Sequence, residues 1–255
     1  MRSINGELAK LTPNKYEKLN TVGFFGSAQS STFLPTDVSG LKVWLDASDA
    51  STITKDGSDL VSQWDDKSGE GNDIAQATGS LQPLWVDSVQ NSKPIIRGDG
   101  IDNTIGRATY TGGAEAQINT ILIVCKMSAD VHGIYNSYMF DSGNSSYRHL
   151  FTTWNPTDIH LMFAGTILDS TSIDTSFHVY TLEYNSTSSI MRQDKSQLTT
   201  GDASTQGMQG LTFFSGFNGG QTGNGDIGEF LFYNKQLSTA ERDNLEDYLT
   251  DKWGL

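Results

Sequence analysis

The chain has a single cysteine in 255 residues, so no internal disulfide is available to hold it together. Cys125 lies in the apolar run Ile121-Leu122-Ile123-Val124-Cys125, the setting of a buried structural thiol rather than a nucleophile. Long apolar runs are also missing. None reaches transmembrane length, and the first thirty residues lack the apolar core of a secretory signal, so folding in a reducing cytoplasm is expected. Basic residues are scarce, with 17 Lys and Arg against 30 Asp and Glu and a net charge of −13. Residues 1–38 hold four basic and three acidic groups, about +1, which leaves −14 on residues 39–255. A body of that sign repels phosphate backbones, so neither nucleic acid nor membrane is an expected partner.

The sequence also lacks the usual patterns of catalysis. Glycoside hydrolysis on a β scaffold needs two carboxylates at a set separation, as a Glu-x-Asp-x-x-Glu pattern on one strand provides, and none occurs. Residues 177–184 offer only Glu183. Residues 226–233 offer Asp226 and Glu229, which a spacing of three puts on opposite faces of a strand. There is no Gly-x-Ser-x-Gly elbow, and His132, His149, His160 and His178 have no zinc spacing. The expectation is a protein that is not an enzyme. The rival is a glycan-cleaving hydrolase that draws Glu183 with Asp226 or Glu229 from separate strands.

What the sequence does contain is sheet-forming material. Twelve phenylalanines, nine tyrosines and 26 glycines in a chain that is 36 % apolar describe many short strands joined by glycine and polar turns. Leu41, Val43 and Leu45 alternate with Lys42, Trp44 and Asp46, as in a half-buried strand. Lys55-Asp56-Gly57-Ser58 makes a hairpin turn into residues 60–64. Further strands are expected near 84–86, 94–97, 138–140, 149–154, 159–163, 177–184, 190–194 and 211–217. Residues 118–127, the most apolar run, should be central. About a dozen strands with no repeat of fixed period predict an all-β, antiparallel jelly-roll sandwich.

Residues 225–255 close that sheet. Over 226–233 the alternation places Ile227, Leu231 and Tyr233 on one face and Phe230 and Phe232 on the other. Ser238 and Glu241 have the spacing of a capping box, which starts a helix at about Thr239. Leu245, Tyr248, Leu249 and Trp253 form its apolar stripe, Arg242, Glu246, Asp247 and Lys252 fall mostly off it, and Gly254 ends it. Residues 1–38 read differently, as an extended amino-terminal arm. A short helix over 7–19 is broken near Pro13, a glycine- and serine-rich stretch follows, and Phe24, Phe25 and Phe33 are its anchoring aromatics.

Leu41-Lys42-Val43-Trp44-Leu45-Asp46-Ala47-Ser48-Asp49, Trp64-Asp65-Asp66-Lys67-Ser68-Gly69 through Asn72, and Gly225-Asp226-Ile227-Gly228-Glu229-Phe230-Leu231-Phe232-Tyr233-Asn234 with the closing Lys252-Trp253-Gly254-Leu255 carry a resemblance. Together, over residues 39–255, they resemble laminin-G-like domains of the concanavalin A-like lectin and glucanase superfamily. Residues 94–103 fit too, with Gly98 where an apolar residue or phenylalanine is expected before Asp99-Gly100. The resemblance implies a jelly roll that binds carbohydrate or docks on protein. An arm ahead of such a module looks like bacteriophage virion proteins. The expected partners are thus a virion coat or tail protein through residues 1–38 and a host surface glycan through residues 39–255, with a homo-oligomer left open. A purely structural brace between virion subunits is the third alternative.

Sugar binding needs an aromatic face for the pyranose carbons and fixed polar groups for its hydroxyls. The stretch 132–154 has both. Its candidate residues are Tyr135, Tyr138, Asp141, Asn144, Tyr147, Arg148, His149 and Trp154. A second polar and aromatic loop, 217–224, adds Asn218, Gln221 and Asn224 behind Phe217. No cofactor is required. Calcium is the one candidate, because oxygen-rich loops suit a hard cation. Asp65, Asp66 and Asn72 form one such loop, and Asp99, Asp102 and Asn103, among glycines that allow a tight bend, form the better set.

Overall fold

A computed structural model describes residues 33–127, 136–154, 159–172 and 175–255. The helix expected over 7–19 and the aromatic residues Phe24, Phe25 and Tyr135 lie outside the described residues, as does the side chain of Trp154. The strands are, in order, β1 (Leu41–Asp46), β2 (Ile53–Lys55), β3 (Val61–Trp64), β4 (Ile74–Ala75), β5 (Leu84–Gln90) and β6 (Lys93–Asp99). Next come β7 (Ile105–Arg107), β8 (Asn119–Met127), β9 (Asn136–Asp141), β10 (Leu150–Trp154), β11 (Ile159–Phe163) and β12 (Ile167–Ser172). The last are β13 (Phe177–Tyr184), β14 (Ser189–Gln193), β15 (Ser196–Gly201), β16 (Leu211–Phe213) and β17 (Asn224–Tyr233), followed by one helix, α1 (Thr239–Trp253). Among the described residues no helix is long and apolar enough to cross a membrane.

The strands make two antiparallel sheets. An eight-stranded sheet runs β15-β14-β13-β8-β17-β6-β5, with β1 also on β17; a nine-stranded sheet runs β12-β11-β10-β9-β16-β7-β4-β3-β2. The all-β, antiparallel sandwich expected from the sequence is the fold observed, and β8 sits at the middle of its sheet as its apolarity requires. The strands not foreseen are β2, β4 and β7, two or three residues long with too few positions for an alternation to register, and β12 and β15, six residues each but mostly polar.

The inner faces of both sheets enclose one core that includes Trp64, Ile123, Phe140, Phe151, Phe213, Phe230 and Phe232. Helix α1 packs on the outer face of the eight-stranded sheet, where Leu245, Leu249 and Trp253 meet Trp44, Leu122, Val124 and Leu231. Its ends form as the sequence predicts. Ser238 Oγ accepts from Glu241 N, Glu241 Oε2 accepts from Ser238 N at 2.9 Å, and Gly254 takes the left-handed conformation. The described chain is packed from its first residue. Phe33 sets its ring edge-on to Tyr248, 6.5 Å between centroids, and Tyr233 Oη donates to Pro35 O.

Two expectations about this face need correction. A β-bulge falls between Ile227 and Glu229 in the pairing of β17 with β8, so Gly228 is an extra residue. Ile227 therefore joins Phe230 and Phe232 in the inner core, while Asp226 and Glu229 share the outer face rather than opposing ones. Glycine is required at 228 because a Cβ there would lie 2.8 Å from the Trp253 ring. The second correction concerns the helix stripe. Glu246 is 1 % exposed, accepting from Thr181 Oγ1 at 2.8 Å and Arg192 Nε at 3.0 Å, and Lys252 turns inward. An apolar count cannot find polar residues whose partners wait on another element.

Lys252 closes a buried network. The Glu229 carboxylate, fully buried, accepts from Trp44 Nε1 at 2.7 Å, Tyr248 Oη at 2.9 Å and Trp253 Nε1 at 2.8 Å, and pairs with Lys252 Nζ at 2.7 Å. Lys252 also lies 2.8 Å from Asp46, which pairs with Lys67 at 2.9 Å. Burial, and secondarily Asp46, push the Glu229 carboxyl above its ordinary value. Burial works against the Asp46 charge too, but Lys252, Ser48 and Lys67 outweigh it and hold Asp46 below the ordinary range. Lys252→Met is expected to leave two carboxylates facing each other without their shared cation. Urea unfolding should show a loss of about 3–5 kcal/mol, the cost of breaking a buried pair from one side; a loss under about 1 kcal/mol refutes the role.

Candidate functional site

The outer face of the nine-stranded sheet has no helix against it among the described residues. Pairing of β9, β10, β11 and β12 sets Tyr138 beside Thr152, Thr152 beside Leu161, Leu150 beside Phe163 and Phe163 beside Ile167. These neighbours and Arg148 line a depression of about 150 Å³. Tyr138, Leu150 and Leu161 pack there as a small apolar cluster separate from the inner core, with Phe163 against it. Ile167 stands at the rim, 48 % exposed.

The polar part of this site is one ion pair. Arg148 Nε lies 2.9 Å from Asp141 Oδ1 and Nη2 lies 2.7 Å from Oδ2, a side-on bidentate pair. Asp141 is fully buried, and it also accepts from Ser142 N at 2.8 Å and Phe217 N at 3.2 Å. Nη2 donates in addition to Tyr138 Oη at 3.3 Å. The guanidinium carbon stands 5.6 Å from the Phe163 ring centroid and 5.1 Å from that of Phe217, within cation–π range. Burial works against the Arg148 charge, but Asp141 more than compensates and raises its pKa. Burial raises the Tyr138 phenol, with Arg148 opposing.

Asp141 therefore joins the two stretches read separately in the sequence, 136–154 through Arg148 and 217–224 through the Phe217 amide. The remaining candidates divide. Tyr147 is exposed, while Asn144 Oδ1 accepts from the Ser146 and Tyr147 amides and its Nδ2 donates to Gln209 Oε1, which makes it a turn former. Asn218 caps its own turn at Gly220 N, Gln221 is half-buried, and Asn224 begins β17 with its amide on Ser137 Oγ. Phe163, Leu161 and Ile167 were not foreseen. Alternation in β11 put Leu161 and Phe163 on one face, but nothing local said which face stays open.

His149 requires a correction. It is fully buried, stacked on Tyr184 at 3.8 Å between ring centroids, with Nε2 2.7 Å from Gln206 O. Burial lowers its pKa to about 3, so it is a neutral core residue and does not face the depression. The calcium candidates serve their own loops. Asp99 Oδ1 accepts from Ile101 N, with Asp102 N and Asn103 N nearby, and Asn103 Oδ1 accepts from Asp99 N. Asp66 is likewise engaged, taking Trp44 N, Ser68 N, Ser68 Oγ and Asn72 N. Among the described residues no three His, Cys, Asp or Glu side chains are grouped to hold a metal.

The three carboxylates of the hydrolase alternative are also engaged. Glu183 lies 2 % exposed with Gln236 and Arg242 against it, Glu229 is fully buried, and Asp226 takes Arg97 Nε and Nη2 at 2.6 and 2.9 Å.

No protein-family model and no curated protein matches the chain. Solved structures do. Trypanosoma rangeli sialidase aligns with a TM-score of 0.58 at 12 % identity, over 84 % of this chain and 33 % of the sialidase chain. The binding domain of botulinum neurotoxin serotype D/C aligns with a TM-score of 0.54 at 11 % identity, over 85 % and 53 %. A botulinum neurotoxin type C structure, described as depending on two ganglioside molecules for cell entry, aligns at 0.53 and 10 %. The chain thus spans about a third of the sialidase and half of the toxin chains. At these identities the likeness is one of fold, a lectin-like β-sandwich. It overturns one expectation, that the chain is not an enzyme: the same architecture is built into sialidase chains, and the missing sequence patterns do not rule catalysis out.

Replacing His149 tests its placement. Its depressed pKa means that stability is complete above the unfolded value of 6.5 and declines as pH falls from there toward 3, by about 1.4 kcal/mol per unit where only the unfolded chain is protonated. His149→Phe, which retains the stack on Tyr184, is expected to flatten that slope in urea titrations between pH 6.5 and 4. An unchanged slope refutes the buried, neutral histidine.

Proposed function

We propose that this protein is a glycan-binding module whose site is the depression on the outer face of the nine-stranded sheet. The observation that carries this reading is the Asp141–Arg148 pair. It fixes a guanidinium between Phe163 and Phe217 at the mouth of an apolar depression, with Tyr138 beside it. Aromatic faces for the ring carbons and rigid polar groups for the oxygens are what sugar recognition requires. The lectin-like fold supports the reading, and the ganglioside and sialic acid named for the similar structures make cell-surface glycans the class to try first.

The same reading makes residues 1–32 the attachment of a laminin-G-like module to a larger body, a virion coat or tail, with Phe33, expected as an anchoring aromatic, packed on Tyr248 of the module instead. Its support is the motif set of residues 39–255 and the charge difference between the two parts. Deleting residues 1–32, which stops short of the packed Phe33, is expected to leave a folded module that no longer sediments with particles; undiminished incorporation refutes the attachment.

The glycan site is tested by Phe217→Ala. Its ring lies beside Arg148 in a half-buried loop position. Glycan-array signal and calorimetric affinity are expected to fall about tenfold, the scale of one lost stacking contact, with the melting temperature within a few degrees of the parent. Ile101→Ala, in a loop with 64 % of Ile101 exposed, is the control and should bind as the parent does. Equal losses in both variants, or none in either, overturn the assignment.

A further inference from the structure

The hydrogen-bonding inventory of the depression specifies more than a sugar. Arg148 Nε and Nη2 are engaged by Asp141 and Tyr138, but Nη1 has no partner among the described residues. It is a charged donor held in place by the rest of its own guanidinium. Acceptors are few: the lone pairs of the Thr152 hydroxyl, and the Tyr138 hydroxyl that already takes Arg148 Nη2. Asp141 already takes Arg148, Ser142 N and Phe217 N, and the Thr152 hydroxyl donates to Thr153 O. The walls are Leu150, Leu161, Phe163 and Ile167.

A ring hydroxyl entering such a space must place its proton on the Thr152 or Tyr138 oxygen or leave it unpaired, at about 1–3 kcal/mol when buried, and it gains nothing from the apolar walls. A carbonyl oxygen asks only for a donor, and a methyl group beside it gains from the apolar wall at about 25 cal/mol per Å². A carboxylate also asks for donors. It would, however, bring a second negative charge to a guanidinium already neutralised by Asp141, on a chain of net charge −13. At about 150 Å³ the depression is smaller than the roughly 300 Å³ at which whole-ligand pockets begin, and so admits a substituent rather than a saccharide chain.

We infer that this depression reads the acetamido group of a 2-acetamido sugar, with the methyl on Leu150, Leu161 and Ile167 and the carbonyl oxygen accepting from Arg148 Nη1. The inference rests on the glycan-binding reading above. The amide N–H then points out of the mouth to water, and the sugar ring lies over the aromatic rim.

The test uses the full chain on an array of glycans printed in matched pairs that differ only in an acetamido or a hydroxyl group at C2, gluco and galacto series together, with dissociation constants measured by calorimetry for chitotriose against cellotriose or for the strongest galacto pair. The acetamido member is expected to bind at least about tenfold tighter, the discrimination a methyl-sized pocket with one buried donor provides. Ile167→Trp, which fills the mouth from its exposed rim, should erase the preference, as should Arg148→Lys, which removes Nη1. Binding that is equal across pairs, or that favours carboxylate-bearing sugars without an acetamido group, overturns the acetamido reading and leaves glycan binding intact. Binding to no glycan at all overturns both.

Discussion

The fold depends on a carboxylate that has no water. Glu229 sits fully buried beneath α1, and its two oxygens receive two indole N–H groups, a phenol and an ammonium from β1 and α1. Hydrogen bonds to a charged group are worth about 1.5–3 kcal/mol each, and a bare buried carboxylate costs several, so the set forms as a whole or not at all. No apolar contact would be as particular about geometry. Trp44, Tyr248, Lys252 and Trp253 must all be in register, which fixes where α1 lies on the sheet and which way β17 bulges. The stretch that looked most diagnostic in the sequence thus serves position, not recognition.

That assignment decides where ligands can go. With α1 across the eight-stranded sheet, its central strands β8 and β17 are buried on both faces. The Asp65 to Asn72 loop covers the outer edge of β1, since Lys67 N donates to Trp44 O and Asn72 Nδ2 to Lys42 O. An edge left bare would be a template for pairing with another chain. The outer face of the opposite sheet carries the depression, and aromatic and guanidinium groups collect there. The Glu229 network and the depression lie on opposite sides of one core, so a change at the depression has little reason to disturb the helix.

The sequence disclosed the architecture well because strand alternation and a capping box are local signals. It disclosed β8, β11, β13 and α1 nearly to the residue. It failed where identity depends on a partner far along the chain. Glu246 and Lys252 were placed on the wet side of α1 because their partners, Thr181, Arg192 and Asp46, belong to other strands. Gly98 looked like a departure from the pattern. A Cβ there would come within 2.5 Å of the Phe214 ring, so the missing aromatic group is supplied by another part of the chain. The stretch around Arg148 has the right residue types, but its members divide by face: a β-bulge at Met139 lets both Tyr138 and Asp141 face outward, while His149 turns into the core. A one-residue difference changes a surface side chain into a core one.

For the binding proposed at the depression, what counts is that its charge is settled beforehand. A lone arginine on a sheet surface samples many rotamers, and a ligand must order it at a cost of about 0.5–1.5 kcal/mol. Arg148 is ordered already, by a fully buried Asp141 that is itself held by two backbone amides. The pair is close to neutral at long range, so a strongly acidic body does not repel an uncharged ligand there, and the Arg148 Nη1 donor is held where the pair aims it. Specificity then follows from what is lacking. In the proposed reading, a fixed charged donor, apolar walls and few acceptors favour a group that accepts and buries a methyl over one that must donate, and they do so without a steric clash.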